Sequence, residues 1–117
     1  MPGRLIIAKE LADIFKLLAH PDRIRLIEEL GSNEKSVSSL ADAMTLTAAR
    51  VSQHLALLRA HRIVEERRDG QRRLYHLTQP DLASWIVSGL AFIEGKVQTV
   101  NSQEIRKVKK QWEAGLD

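Results

Sequence analysis

Residues 46–59 read Leu46-Thr47-Ala48-Ala49-Arg50-Val51-Ser52-Gln53-His54-Leu55-Ala56-Leu57-Leu58-Arg59, and the spacing within this stretch decides the fold. At about 100° per residue, Val51, Leu55 and Leu58 fall on one side of a helix and must face a core, while Ala49, Arg50, Ser52, Gln53 and Ala56 point away. Thr47 stands where a hydroxyl caps the first turn, and the helix is expected to run to about His61. Its outer face is short and polar. A helix entering the major groove of DNA needs that pattern, because small residues let the backbone approach while one or two longer side chains reach base edges. Arg50 has the fork for a guanine and Gln53 the amide for an adenine, and the free N–H groups near Thr47 suit a phosphate oxygen. A solvated helix face would look the same in isolation, so the neighbouring segments decide.

Upstream, Leu11, Ile14, Phe15 and Leu18 line one face of a helix expected over Leu5 to Ala19. His20-Pro21 interrupts it, and Pro21 suits the first position of a second helix, because its missing N–H would find no intrahelical partner there. That helix carries Ile24, Ile27 and Leu30 and can end at Gly31 in a left-handed conformation. After a Ser-Asn-Glu-Lys loop, Val37 is expected to pair briefly as a strand, with Ser38 or Ser39 capping a short helix from Leu40 to Met44. A tight turn at Thr45 and Leu46 then joins two short helices, the helix-turn-helix arrangement.

Downstream, VEERRDGQRRLYHL (64–77) holds an Asp69-Gly70 pair between two strand-like arms and predicts a hairpin, with Arg67, Arg68, Gln71, Arg72 and Arg73 around its tip. These arginines are placed to reach phosphates or the minor groove, where solvated charge or edge protection is the plainer alternative. Between Met44 and Pro80 seven arginines stand against three acids, leaving +4 where the whole chain carries +3. The positive charge is therefore gathered into the third of the chain that holds the motifs. From Pro80 and Asp81 one long helix is expected, with Leu82, Trp85, Ile86, Gly89, Leu90, Ile93 and Val97 in an apolar stripe wider than one small core can cover. In the tail beyond Asn101, Ile105, Val108 and Trp112 leave room for a last helix or for fraying.

The chain has 117 residues, 44% hydrophobic and 28% charged, enough for one packed domain; the expectation is a domain over 1–100 and a polar tail over 101–117. Cysteine is absent, which removes disulfides, zinc thiolates and thiol redox chemistry. No apolar run is long enough to span a bilayer, and Lys9, Glu10 and Asp13 interrupt any signal-peptide core, so a soluble cytoplasmic protein without membrane contact is expected. There is no glycine-rich phosphate loop, nucleophile motif or ligand cluster to support an enzyme or a cofactor.

LLAHPDRIRLIEEL, SVSSLADAM, LTAARVSQHLALLRAHRIV and RRDGQRRLYHL, in that order and spacing, resemble the successive elements of the ArsR/SmtB family over roughly Leu11 to Leu77. The resemblance implies a mainly α fold with a small β-hairpin (α+β), a winged helix-turn-helix, dimeric through its first and last core helices. It implies a homodimeric regulator of transcription, a repressor, bound to an inverted-repeat operator in double-stranded DNA. Thr47, Ala48, Ala49, Arg50, Ser52, Gln53 and His54 would lie on the DNA-reading helix. His54 sits at the edge of the core face, where a hydrogen-bonded structural histidine is the equal alternative. The dimer contact is expected from Leu11, Phe15, Leu18, Trp85, Ile86, Leu90 and Ile93. A winged-helix module for protein contacts or RNA, without a specific operator, is the competing reading.

Metal-sensing members of that family carry cysteines or a carboxylate and histidine set at particular positions. Here the matching positions look like Ser36 and like Gln79, Asp81, Phe92 and Gly95, and one carboxylate cannot hold a transition metal. His20, His54, His61 and His76 lie scattered along the chain without paired ligand spacing, so each is expected to be structural and no metal site is expected. Control would then come from a small-molecule or protein effector, or from abundance.

Overall fold

The computed structural model describes residues 2–94 and 102–115. Its elements run α1 (Pro2–Leu18), α2 (Pro21–Glu29), β1 (Lys35–Ser36), α3 (Val37–Met44), α4 (Ala48–Ala60), β2 (Val64–Asp69), β3 (Arg72–Leu77), α5 (Asp81–Ser88), α6 (Leu90–Glu94) and α7 (Ser102–Gly115). The fold is mainly helical, with an antiparallel sheet in the order β1-β3-β2. Among the described residues no helix is long and apolar enough to cross a membrane.

The caps explain where the central helices start. The His20 ring accepts from the Asp22 N–H at 3.1 Å, with Pro21 in the first turn of α2. The Ser36 hydroxyl accepts from the Ser39 N–H at 3.1 Å, so Ser36 caps α3 rather than Ser38 or Ser39. Val37 already belongs to that helix, and the brief strand is Lys35–Ser36, paired with Tyr75 and Leu74. The Thr47 hydroxyl accepts from the Arg50 N–H at 3.1 Å and starts α4 where the sequence predicts.

Both helices of the helix-turn-helix end in the same way. After α3, Thr45 turns left-handed (φ 56°), and the Leu46 N–H reaches the Ala41 carbonyl at 3.1 Å. After α4, Arg62 does so (φ 60°), with the Arg62 N–H on Arg59 O at 3.0 Å and the Ile63 N–H on Leu58 O at 2.9 Å. These are Schellman closures, in which a left-handed residue lets two orphan carbonyls find donors. By contrast α2 ends through Leu30 at φ −85°, and Gly31 does not take the left-handed conformation the sequence suggested.

Leu26, Ile27, Leu40, Val51, Leu55 and Leu58 are fully buried and join α2, α3 and α4 into one core, which Val64, Tyr75 and Leu77 extend to the sheet. In the hairpin, Asp69 pairs with Arg72, so the turn residues are Gly70 and Gln71 rather than Asp69 and Gly70. Gly70 supplies the positive φ (64°) at the first turn position, where a side chain would be strained.

The long helix expected after Pro80 is broken. The Gly89 N–H bonds Ile86 O at 2.9 Å, closing a tighter turn between α5 and α6. Gly95 and Val97, and the expected domain boundary at residue 100, lie outside the described residues. The tail segment is helical as α7, buries Ile105 and packs against α5 and α6.

Candidate nucleic-acid interface

α4 presents Thr47, Ala48, Ala49, Arg50, Ser52, Gln53 and Ala56 to solvent while Val51, Leu55 and Leu58 are buried, so the two faces separate as the periodicity requires. Small residues dominate the outward face and leave room for another surface to approach. His54 does not join it. Its side chain is only 11% exposed and turns toward α2, with Nε2 3.7 Å from Asp22 Oδ2 and Nδ1 accepting from Arg23 Nη1 at 3.4 Å. Burial, followed by the positive field of His20 and Arg23, holds the His54 ring below its ordinary pKa despite the opposing Asp22 carboxylate. The structural reading of His54 is thus the one its surroundings support.

The histidines are also not scattered in space. The His20 and His54 rings lie 4.5 Å apart, tilted by 60°, with Asp22 beside them. Linear spacing could not show this, because α2 and α4 come together through a shared core that includes Leu26, Ile27, Val51 and Leu55. Asp22 also reaches the DNA-reading candidates: its Oδ2 lies 3.5 Å from Arg50 Nε. Sequence reasoning missed Asp22 and its hold on Arg50.

The wing cations divide into two sets. Arg67 bonds Glu34 through Nε at 3.2 Å and through Nη2, which lowers the Glu34 carboxyl pKa. Arg73 lies 3.5 Å from Glu66, whose other oxygen takes Arg59 Nη1 at 2.8 Å. Glu66, 13% exposed, therefore joins α4 to both strands of the hairpin and sets the wing against the helix. Arg67 and Arg73 are thus exposed and at the same time paired within the fold. Arg68 and Arg72 make no ion pair among the described residues, and Gln71 is exposed at the turn.

On α1, α5 and α6, Leu11, Phe15, Trp85 and Ile93 are exposed, and the Phe15 and Trp85 rings stack with centroids 5.7 Å apart. Ile86 and Leu90 are half-buried beside them. Leu18 is buried in the core. Leu5, Ile6, Ile7 and Phe92, the last 84% exposed, are further exposed apolar side chains beyond the residues expected. Phe15, Leu18, Trp85, Phe92 and Ile93, with Trp112 of α7, border an apolar cleft of about 680 Å³.

A capped three-helix unit whose third helix offers a small polar face, followed by a hairpin with free arginines, defines the winged helix-turn-helix class. Residues 20–66 match the profile of the bacterial regulatory protein, arsR family. The chain is 41% identical over 73 residues to the uncharacterized HTH-type transcriptional regulator Rv0081 of Mycobacterium tuberculosis, covering 62% of this chain and 64% of that protein, just under two thirds of its length. It is 33% identical over 88 residues to the nodulation protein NolR of Rhizobium meliloti, covering 75% of this chain and 71% of that one. The crystal structure of NolR from Sinorhizobium fredii superposes with a TM-score of 0.69 at 32% identity, covering 81% of this chain and 94% of that one. The chain belongs to the ArsR family. Regulators of this family are not enzymes.

Proposed function

We propose that the chain is a cytoplasmic, sequence-specific regulator of transcription, a repressor, that binds an inverted-repeat site in double-stranded DNA as a homodimer. The outward face of α4 carries this reading: small exposed residues around Gln53 and Arg50, on a helix capped by the exposed Thr47. Arg68 and Arg72 on the wing supply charge for the adjacent phosphates. The apolar stripe through Leu11, Phe15, Trp85 and Ile93 supports pairing of two chains, since an isolated small domain rarely leaves such a surface open. The cleft that Phe15, Trp85 and Ile93 also line offers room for an apolar small-molecule effector whose entry would alter the spacing of the two α4 helices.

Selection of genomic fragments by the purified protein, followed by fluorescence anisotropy on the selected duplex, tests the reading. The expected site is an inverted repeat with half-sites about 10 bp apart, bound with an affinity that falls steeply with salt. Gln53→Ala should cost about 1–3 kcal/mol and relax preference at particular base pairs, whereas Arg68→Ala should weaken all sequences alike. Weak binding that ignores salt would sink the proposal, and base preference altered by the wing but not by α4 would reverse the roles.

A further inference from the structure

We propose that His20, Asp22 and His54 form a binding site for a first-row divalent metal ion, zinc or its analogue cobalt, at the junction of α2 and α4. The three side chains each offer one ligand atom, and these atoms all lie within 4.8 Å of one another. Two imidazoles and a carboxylate are a donor set that borderline divalent ions accept, with water completing the coordination. Zinc holds N and O ligands at about 2.0–2.2 Å, which puts tetrahedral neighbours roughly 3.4 Å apart. His54 Nε2 and Asp22 Oδ2 are already 3.7 Å apart. All three residues are half-buried, and each is tied to a helix, so the ligands are held together before any ion arrives. The site stands apart from Ser36, Gln79, Asp81, Phe92 and Gly95, the positions at which the family resemblance implies metal ligands.

Binding has identifiable costs. A metal on His54 Nε2 moves the ring proton to Nδ1 and ends the 3.4 Å contact with Arg23, which is already at the long limit of a hydrogen bond. His20 must give up the cap on the Asp22 N–H, because the lone pair that accepts there is either taken by the metal or protonated. Asp22 is the shared resource: its Oδ2 also lies 3.5 Å from Arg50 Nε. A dication at Asp22 repels that guanidinium and withdraws the oxygen that holds it, so Arg50 is released outward along the face that carries Gln53. Metal should therefore tighten DNA binding, and by reciprocity DNA should tighten metal binding. The coupling rests on the DNA-binding reading above; the metal site does not.

The experiment uses untagged full-length protein treated with chelator, then titrated with cobalt and followed by its visible d–d absorption. One ion per chain is expected. His20→Asn keeps an oxygen to cap α2 but lacks the imidazole, and Asp22→Asn keeps the shape but lacks the charge. Both should lose the cobalt signal at concentrations that saturate the wild type, with unchanged circular dichroism, while His61→Ala and His76→Ala keep it. No cobalt uptake by the wild type at about 100 µM, or a full signal in His20→Asn, would overturn the site. On the selected duplex, zinc should then raise wild-type affinity about five-fold or more and leave His20→Asn unchanged. Cobalt bound with DNA affinity unaltered by zinc overturns the coupling alone, and cobalt bound without any DNA binding overturns the regulatory reading while the metal site stands.

Discussion

Arg50 cannot serve Asp22 and a base pair at once, which makes Asp22→Asn the most informative substitution in the metal-free protein. The pair is separated by 3.5 Å, with Arg50 57% and Asp22 17% exposed. An ion pair with one partner so open to solvent is worth about 0.2–1 kcal/mol. Releasing Arg50 before the duplex arrives should therefore raise affinity by about 1.4- to 5-fold, since DNA no longer has to break the pair. Stability should move the other way, because Asp22 stands in the first turn of α2, where a carboxylate contributes about 0.3–1 kcal/mol against the helix dipole. Anisotropy on the selected duplex and urea unfolding measure the two effects separately. The decisive arm is the double-mutant cycle: in an Arg50→Ala background, Asp22→Asn should no longer tighten binding. Tightening that persists without Arg50, or that never appears, would refute the claim that Asp22 restrains Arg50.

Arg62→Gly should stabilise the fold by up to about 1.5 kcal/mol, because removing a Cβ from a left-handed position relieves roughly 1–2 kcal/mol while glycine costs about 0.5–1 in the unfolded chain; thermal unfolding beside Arg62→Ala, expected to be neutral, checks it. Trp85→Glu should place a charge in the exposed Phe15–Trp85 stack and yield monomers with weak DNA binding, and an intact dimer by sedimentation would move the interface elsewhere. Burial, reinforced by Glu29 and opposed by Lys35 and Arg25, raises the Glu28 pKa above its ordinary 4.5. The folded chain then holds this proton longer than the unfolded one, so stability is lost as pH rises through that value. Glu28→Gln should raise the melting temperature at neutral pH, with a gain that fades below about pH 4.

Local chemistry made much of this protein legible in advance. Val51, Leu55 and Leu58 recur at helical spacing, and a helix must bury that stripe wherever it packs, so the outward set around Gln53 followed without knowledge of any neighbour. Pro21 and Thr47 act within their own first turns, and Gly70 within its own hairpin, for the same reason. What a linear reading could not show is a role that depends on distant partners. Arg67 and Arg73 read as phosphate ligands along the chain, and only the folded chain shows that Glu34 and Glu66 also pair with them. Leu18 shares the spacing of Leu11 and Phe15, and only the packing shows that it is buried in the core while they are exposed. The His20–Asp22–His54 cluster is the extreme case, since 34 positions separate its two histidines and only the burial of α2 against α4 brings their rings within 4.5 Å. Periodicity and capping are encoded within a few residues, whereas charge pairing and ligand convergence depend on distances that exist only after the helices have packed.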